Sequence, residues 1–78
     1  MNNIELEEFV VKTINKLSDT KISKISLETS FEDLNINILD LIEIIMLLED
    51  KLEFTPNIDI YNLKTVGELI KHIKQLIK

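Results

Sequence analysis

From Leu6 to Ile77 apolar side chains recur at steps of three and four residues, with a single glycine and a single proline along the whole chain. The spacing is the period of an α-helix with one apolar face. The scarcity of Gly and Pro denies the chain the many tight turns of a β-rich fold. At 78 residues it is long enough for one domain, residues 1–78, and such a chain buries only roughly 60% of its surface on folding.

Leu6, Phe9, Val10, Thr13, Ile14 and Leu17 predict a first helix over about residues 3–17, started by Asn2 with Glu5 three residues later. Residues 18–36 have no sustained period, and so long a connection in a small domain is functional or packed down. Ile22, Ile25, Leu27, Phe31 and Leu34 are expected to pin it onto the helices, with a short helical turn near residues 21–25.

A second helix is predicted from Ile38 to about Phe54. At about 100° per residue Leu41, Ile44, Ile45, Leu48 and Leu52 form the core stripe, with Asp40, Glu43, Asp50 and Lys51 opposite. A second apolar row, Ile38, Leu39, Ile42 and Met46, is flanked by Glu49 and Glu53. One stripe suffices for a helix in so small a bundle, so the second row is either extra core or a contact surface.

After Pro56, Ile58, Ile60 and Leu63 are expected to face inward from a short helix or turn. Thr65 and Glu68 then form a capping box for a last helix carrying Val66, Leu69, Ile70, Ile73, Leu76 and Ile77, its lysines toward the C-terminus as the helix dipole prefers. The expected fold is all-α: a four-helix bundle of three main helices and one short one.

Composition removes several functions. Without cysteine there is no disulfide and no thiolate metal site, and His72, the lone histidine, can build neither a metal site nor a catalytic triad by itself. Paired acids such as Glu32–Asp33 and Glu49–Asp50 come with no nucleophile and no turn glycine for a calcium loop. His72 reads as a surface residue, and Tyr61 as core or rim. No apolar run approaches the roughly 18 residues of a membrane span, and the polar, acidic N-terminus is neither a secretory signal nor a transit peptide. A cytoplasmic monomer without membrane contact is expected.

Charge is unevenly spread. The net charge of −5 argues against nucleic acid, whose phosphates need a basic surface. Residues 1–27 balance, residues 28–59 hold nine acids against Lys51, and residues 60–78 hold four lysines against Glu68. The acidic middle segment is either a solvated face or a surface for a basic protein partner.

Residues Phe31–Ile73 resemble the acyl carrier protein family, which includes polyketide and peptidyl carrier domains. The family places a Phe and a Leu before a Gly-x-Asp-Ser-Leu motif that opens its second helix. Phe31, Leu34 and Leu39 match; Glu43, Met46 and Glu49 fit its acidic, Met-containing recognition helix, and "TVGELIKHI" fits its last helix. The resemblance implies the carrier bundle, no enzymatic activity, and a 4′-phosphopantetheine cofactor on the motif serine. Here that position is Ile38, the Asp before it is Asn37 and the Gly is Asn35.

An isoleucine has no nucleophilic oxygen, so no cofactor is expected on this chain. The nearest hydroxyls, Thr29 and Ser30, lie outside the motif. Asn37 still serves as a helix cap, and Asp40 can reach back in an imperfect capping box. Ile38 either extends the row of Ile42 and Met46 as an exposed ridge or folds back onto Ile36 and the loop as core.

The expected function is interaction with carrier-type partners of fatty-acid or polyketide machinery. It would run through Ile38, Leu39, Asp40, Ile42, Glu43, Met46, Glu49 and Asp50. Two alternatives stay open: an unmodifiable form of an active carrier, and a noncovalent lipid binder.

Overall fold

The computed structural model describes residues 2–18 and 25–77. In chain order these form α1 (Asn3–Lys16), α2 (Ile38–Leu52), a 3-10 helix (Ile58–Asn62) and α3 (Val66–Leu76), three main helices and one short one, as the periodicity predicts. The helical turn expected near residues 21–25 lies outside the described residues, apart from Ile25, which is buried.

Each main helix starts where its sequence places a cap. The Glu5 amide donates to Asn2 Oδ1 at 2.8 Å. The Asp40 amide donates to Asn37 Oδ1 at 2.9 Å, while the Asn37 amide donates to Asp40 Oδ2 at 3.4 Å. Thr65 and Glu68 make the same reciprocal pair. These bonds occupy first-turn donors that no residue within the helix can satisfy.

The inward stripes meet in one core. Leu6, Val10 and Ile14 of α1 join Leu41, Ile44, Ile45 and Leu48 of α2 and Val66, Leu69, Ile70 and Ile73 of α3. Each large aliphatic side chain buried there contributes about 1.5–3 kcal/mol. Thr13, the buried polar side chain of α1, donates from Oγ1 to the Phe9 carbonyl at 2.8 Å, so its hydroxyl is paired. Leu52, at the end of its stripe, is only half-buried.

The connection before α2 is held by backbone as well as side chains. Ser30 and Thr65 form an antiparallel bridge, with the Phe31 amide donating to the Lys64 carbonyl at 2.9 Å. The first two amides of α3 are taken by the same loop: Val66 donates to the Thr29 carbonyl at 3.0 Å and Gly67 to the Leu27 carbonyl at 2.8 Å. The approach demands glycine, since a Cβ at Gly67 would meet the Leu27 oxygen at 2.7 Å. Ile25, Phe31, Leu34 and Ile36 are buried.

Two expectations about packing fail. Leu27 is 47% exposed; it fastens the loop through its carbonyl rather than its side chain. Ile58 is 80% exposed. A 3-10 helix has three residues per turn, so buried Ile60 shares a side with Leu63 and Ile58 falls off it.

Candidate functional site

The entry into α2 is built from a tight turn. Asn35 has φ 56°, the left-handed region that glycine and asparagine adopt most readily. Around it the Ile36 amide donates to the Phe31 carbonyl at 2.9 Å and the Asn35 amide to the Glu32 carbonyl at 3.0 Å. That pair of bonds is a Schellman motif with Asn35 as its left-handed residue. Its usual apolar companions, Phe31 and Ile36, are both buried.

Ile36 has a second use. It precedes the cap residue Asn37, and Leu41 stands at the fourth helical position; both are buried, the arrangement of a hydrophobic staple. The chain is thus fixed in direction just before Ile38. Ile38 does not fold back with Ile36: it is 53% exposed, and Leu39 beside it is 72% exposed. The core alternative for this row therefore fails at its first two members.

Ile42 and Met46 are exposed as well, so the predicted second row stands outward along α2. Glu43 and Asp50 share the outer face and are exposed, Glu49 is half-buried at its edge, and Asp40 is half-buried because its carboxylate serves the cap. Leu47, exposed at the same level, lies outside the row that the spacing predicts. The signal was present: Leu47 lies four residues after Glu43 and eight after Leu39, on the same outward side. Met46, Leu47 and Phe54 line an open groove of about 750 Å³ edged by Glu43, Glu49, Asp50 and Glu53. Among the described residues the one ion pair is Lys74–Glu7, at 3.9 Å, so none of the four acids around this groove has an ion-pair partner among them.

The chemistry this site can perform is limited. Ile38 ends in carbon. The hydroxyls nearest in sequence are held in turns: Ser30 Oγ accepts from the Asp33 amide at 3.0 Å, and Thr29 Oγ1 accepts from the Ser26 amide at 2.9 Å. Neither stands at a helix start. Among the described residues no group of three or more histidine and carboxylate side chains could hold a metal ion, and no helix is long and apolar enough to cross a membrane. His72 bonds Asn57 Oδ1 through Nε2 at 2.9 Å, which ties α3 to the start of the 3-10 helix.

The sequence is similar to a known family and to known proteins. The family described as "Phosphopantetheine attachment site" matches residues 8–73. The acyl carrier protein of Exiguobacterium sibiricum is 36% identical over 73 residues, covering 91% of this chain and 87% of that protein. That of Streptococcus pneumoniae serotype 4 is 33% identical over 75 residues, covering 95% and 93%. That of Chlamydia trachomatis serovar L2 is 45% identical over 53 residues, covering 65% and 69%.

Proposed function

The chain belongs to the acyl carrier protein family, and from that premise we propose that it keeps the carrier fold without carrying. Proteins of this family are carriers rather than enzymes; they meet biosynthetic enzymes, and the family domain is the site of 4′-phosphopantetheine attachment. In this chain the reading rests on one observation: the first residue of α2, where the sequence motif would place the serine, is an exposed isoleucine. A phosphodiester needs an oxygen nucleophile, and Ile38 has none.

What remains is a binding surface. The outer face of α2 joins an apolar centre to an acidic rim, the anatomy of a protein contact. Its partners are basic proteins of fatty-acid or polyketide type machinery, met by Ile38, Leu39, Ile42 and Met46 in the centre and Glu43, Glu49 and Asp50 at the rim. Asp40 contributes chiefly through the cap, so Glu43→Lys is the cleaner charge reversal. The protein acts as a cytoplasmic monomer that occupies, regulates or scaffolds such partners.

The test uses the native chain and its Ile38→Ser variant, each incubated with coenzyme A and a broad-specificity phosphopantetheinyl transferase, with intact masses as the readout. The native chain is expected to stay unmodified and the variant to gain one phosphopantetheine. Modification of the native chain would restore an ordinary carrier. A variant that also stays unmodified would show that the surface no longer meets carrier-type enzymes.

A further inference from the structure

We propose that the end of the bundle remote from Ile38 holds a small amphiphilic monoanion, a carboxylate on a short apolar chain, in a cavity floored by Leu52 and Ile77 and edged by Lys51 and Lys74. The helices run so that α1 starts where α2 and α3 finish. Asn3 and Leu6 from the first, Lys51 and Leu52 from the second, and Lys74 and Ile77 from the third line one cavity of about 390 Å³. That volume falls among small-ligand sites. Lys51 stands at the far end of α2 from Ile38, about 20 Å along the helix, so the cavity is separate from the face assigned to protein partners.

Charge and floor both follow from the way the helices end. Lys51 and Lys74 each stand in the last turn of their helix, where a cation suits the negative pole. That preference accounts for each lysine alone. Because both helices finish at this end, the two cations meet over one apolar floor. Lys51 is the lone base against the nine acids of residues 28–59, and it has no ion-pair partner among the described residues. Lys74 is shared with Glu7 at 3.9 Å, a long contact at a partly exposed site. Two lysines and one carboxylate leave a surplus of one positive charge, which selects a monoanion over a dianion such as a phosphate monoester.

The floor selects what carries the anion. Leu52 and Ile77 are only half-buried, and they also border the next depression, about 500 Å³, with Phe54 and Leu76. The apolar surface thus runs on from the lysines, and an alkyl chain can lie along it with its carboxylate at Lys51 and Lys74. The bundle's interior is occupied by its own side chains, Ile44, Ile45, Leu48 and Ile60 having no exposed surface. The ligand is therefore assigned to the end of the bundle and not to its core.

Octanoate, 1-octanol and acetate are titrated separately into the labelled full-length chain, octanoate below its micellar concentration, with amide shifts followed by NMR. Octanoate is expected to shift Leu6, Lys51, Leu52 and Ile77 saturably. It should bind at least about ten-fold tighter than 1-octanol, which lacks the charge, and than acetate, which lacks the chain. Lys51→Gln and Lys74→Gln should each weaken octanoate about three- to five-fold, the worth of an exposed ion pair. Glu7→Gln should tighten it about two-fold, because it releases Lys74 and removes an acid; a lysine that served only to stabilise its helix would not give opposite signs.

Equal affinity for octanoate and 1-octanol would overturn the anion site. Shifts centred on Ile44 and Ile60 would put the chain inside the bundle and overturn the site at its end. No saturable shift with octanoate would overturn the proposal altogether. Ile38→Ser should leave octanoate binding unchanged, so the result is read independently of the transferase experiment.

Discussion

The first turns of α2 and α3 carry the same cap chemistry in different surroundings. Asn37 with Asp40, and Thr65 with Glu68, close reciprocal boxes, and at the fourth position Leu41 and Leu69 are both buried. Between cap and core the helices diverge. The first two residues of α3, Val66 and Gly67, lie under the loop, their amides bonded to Thr29 and Leu27, and Val66 has no exposed surface. The first two residues of α2, Ile38 and Leu39, stand clear of it. A cap decides where a helix begins; what lies over its first turn is decided by distant chain. In α3 that chain is the protein's own. In α2 the open turn carries two aliphatic side chains, which is the basis for assigning it to a partner.

The largest effect separates the two first positions. Val66→Asp places an unpaired charge in the core and is expected to cost more than about 4 kcal/mol, enough to unfold a chain of this size. Ile38→Asp should stay within about 0.5 kcal/mol of the parent, because its side chain already meets solvent and an acid suits a helix start. Urea midpoints measure both. A large loss at Ile38 would mean that this side chain is structural and the contrast is false.

The second positions give a smaller gap. Gly67→Ala forces the new methyl against the Leu27 carbonyl, or moves the loop off α3, and is expected to cost about 1–3 kcal/mol as overpacking does. Leu39→Ala should be within about 0.5 kcal/mol. If thermal unfolding shows Gly67→Ala to be neutral, the loop is loosely held and α3 is less covered than its hydrogen bonds indicate.

This contrast also marks what the sequence could disclose. Caps and stripes are local patterns: the Asn37–Asp40 and Thr65–Glu68 pairs and the core faces could be read directly. The docking of Leu27, Thr29 and Ser30 on Val66, Gly67 and Thr65 could not, because backbone pairing between distant segments leaves no signature in side-chain period. Ile58 and Ile60 are both expected inward, yet a period of three puts Ile60 and Leu63 on one side and leaves Ile58 off it. Asn35 was legible as a substitution, but only φ 56° shows why it is tolerated: asparagine enters the left-handed region at lower cost than most residues. Leu47 lies outside the predicted row because a helix presents parallel rows on its outer face, and the spacing follows Ile38, Leu39, Ile42 and Met46 alone.

The smallest effects fall where the two helices are alike, and they test the shared half of the comparison. Thr65→Ala and Asn37→Ala each remove an oxygen that accepts a first-turn amide, from Glu68 at 3.1 Å and from Asp40 at 2.9 Å. Each is expected to cost about 1 kcal/mol, the usual worth of a cap. The amounts should match although one first turn is covered and the other open, because the lost bond is local in both. Thr65 carries one extra contact, its hydroxyl to Glu68 Oε1 at 3.3 Å, but the Lys64 amide also donates to that oxygen at 3.1 Å and keeps Glu68 in place. A loss at Asn37 far above that at Thr65, measured by urea unfolding, would mean that the α2 cap also holds the Phe31–Ile36 turn. The open face of α2 would then depend on that turn as well as on the helix. Equal losses would leave the cap confined to starting the helix, and the outward set of Ile38 and Leu39 would follow from the buried Ile36–Leu41 pair beneath them.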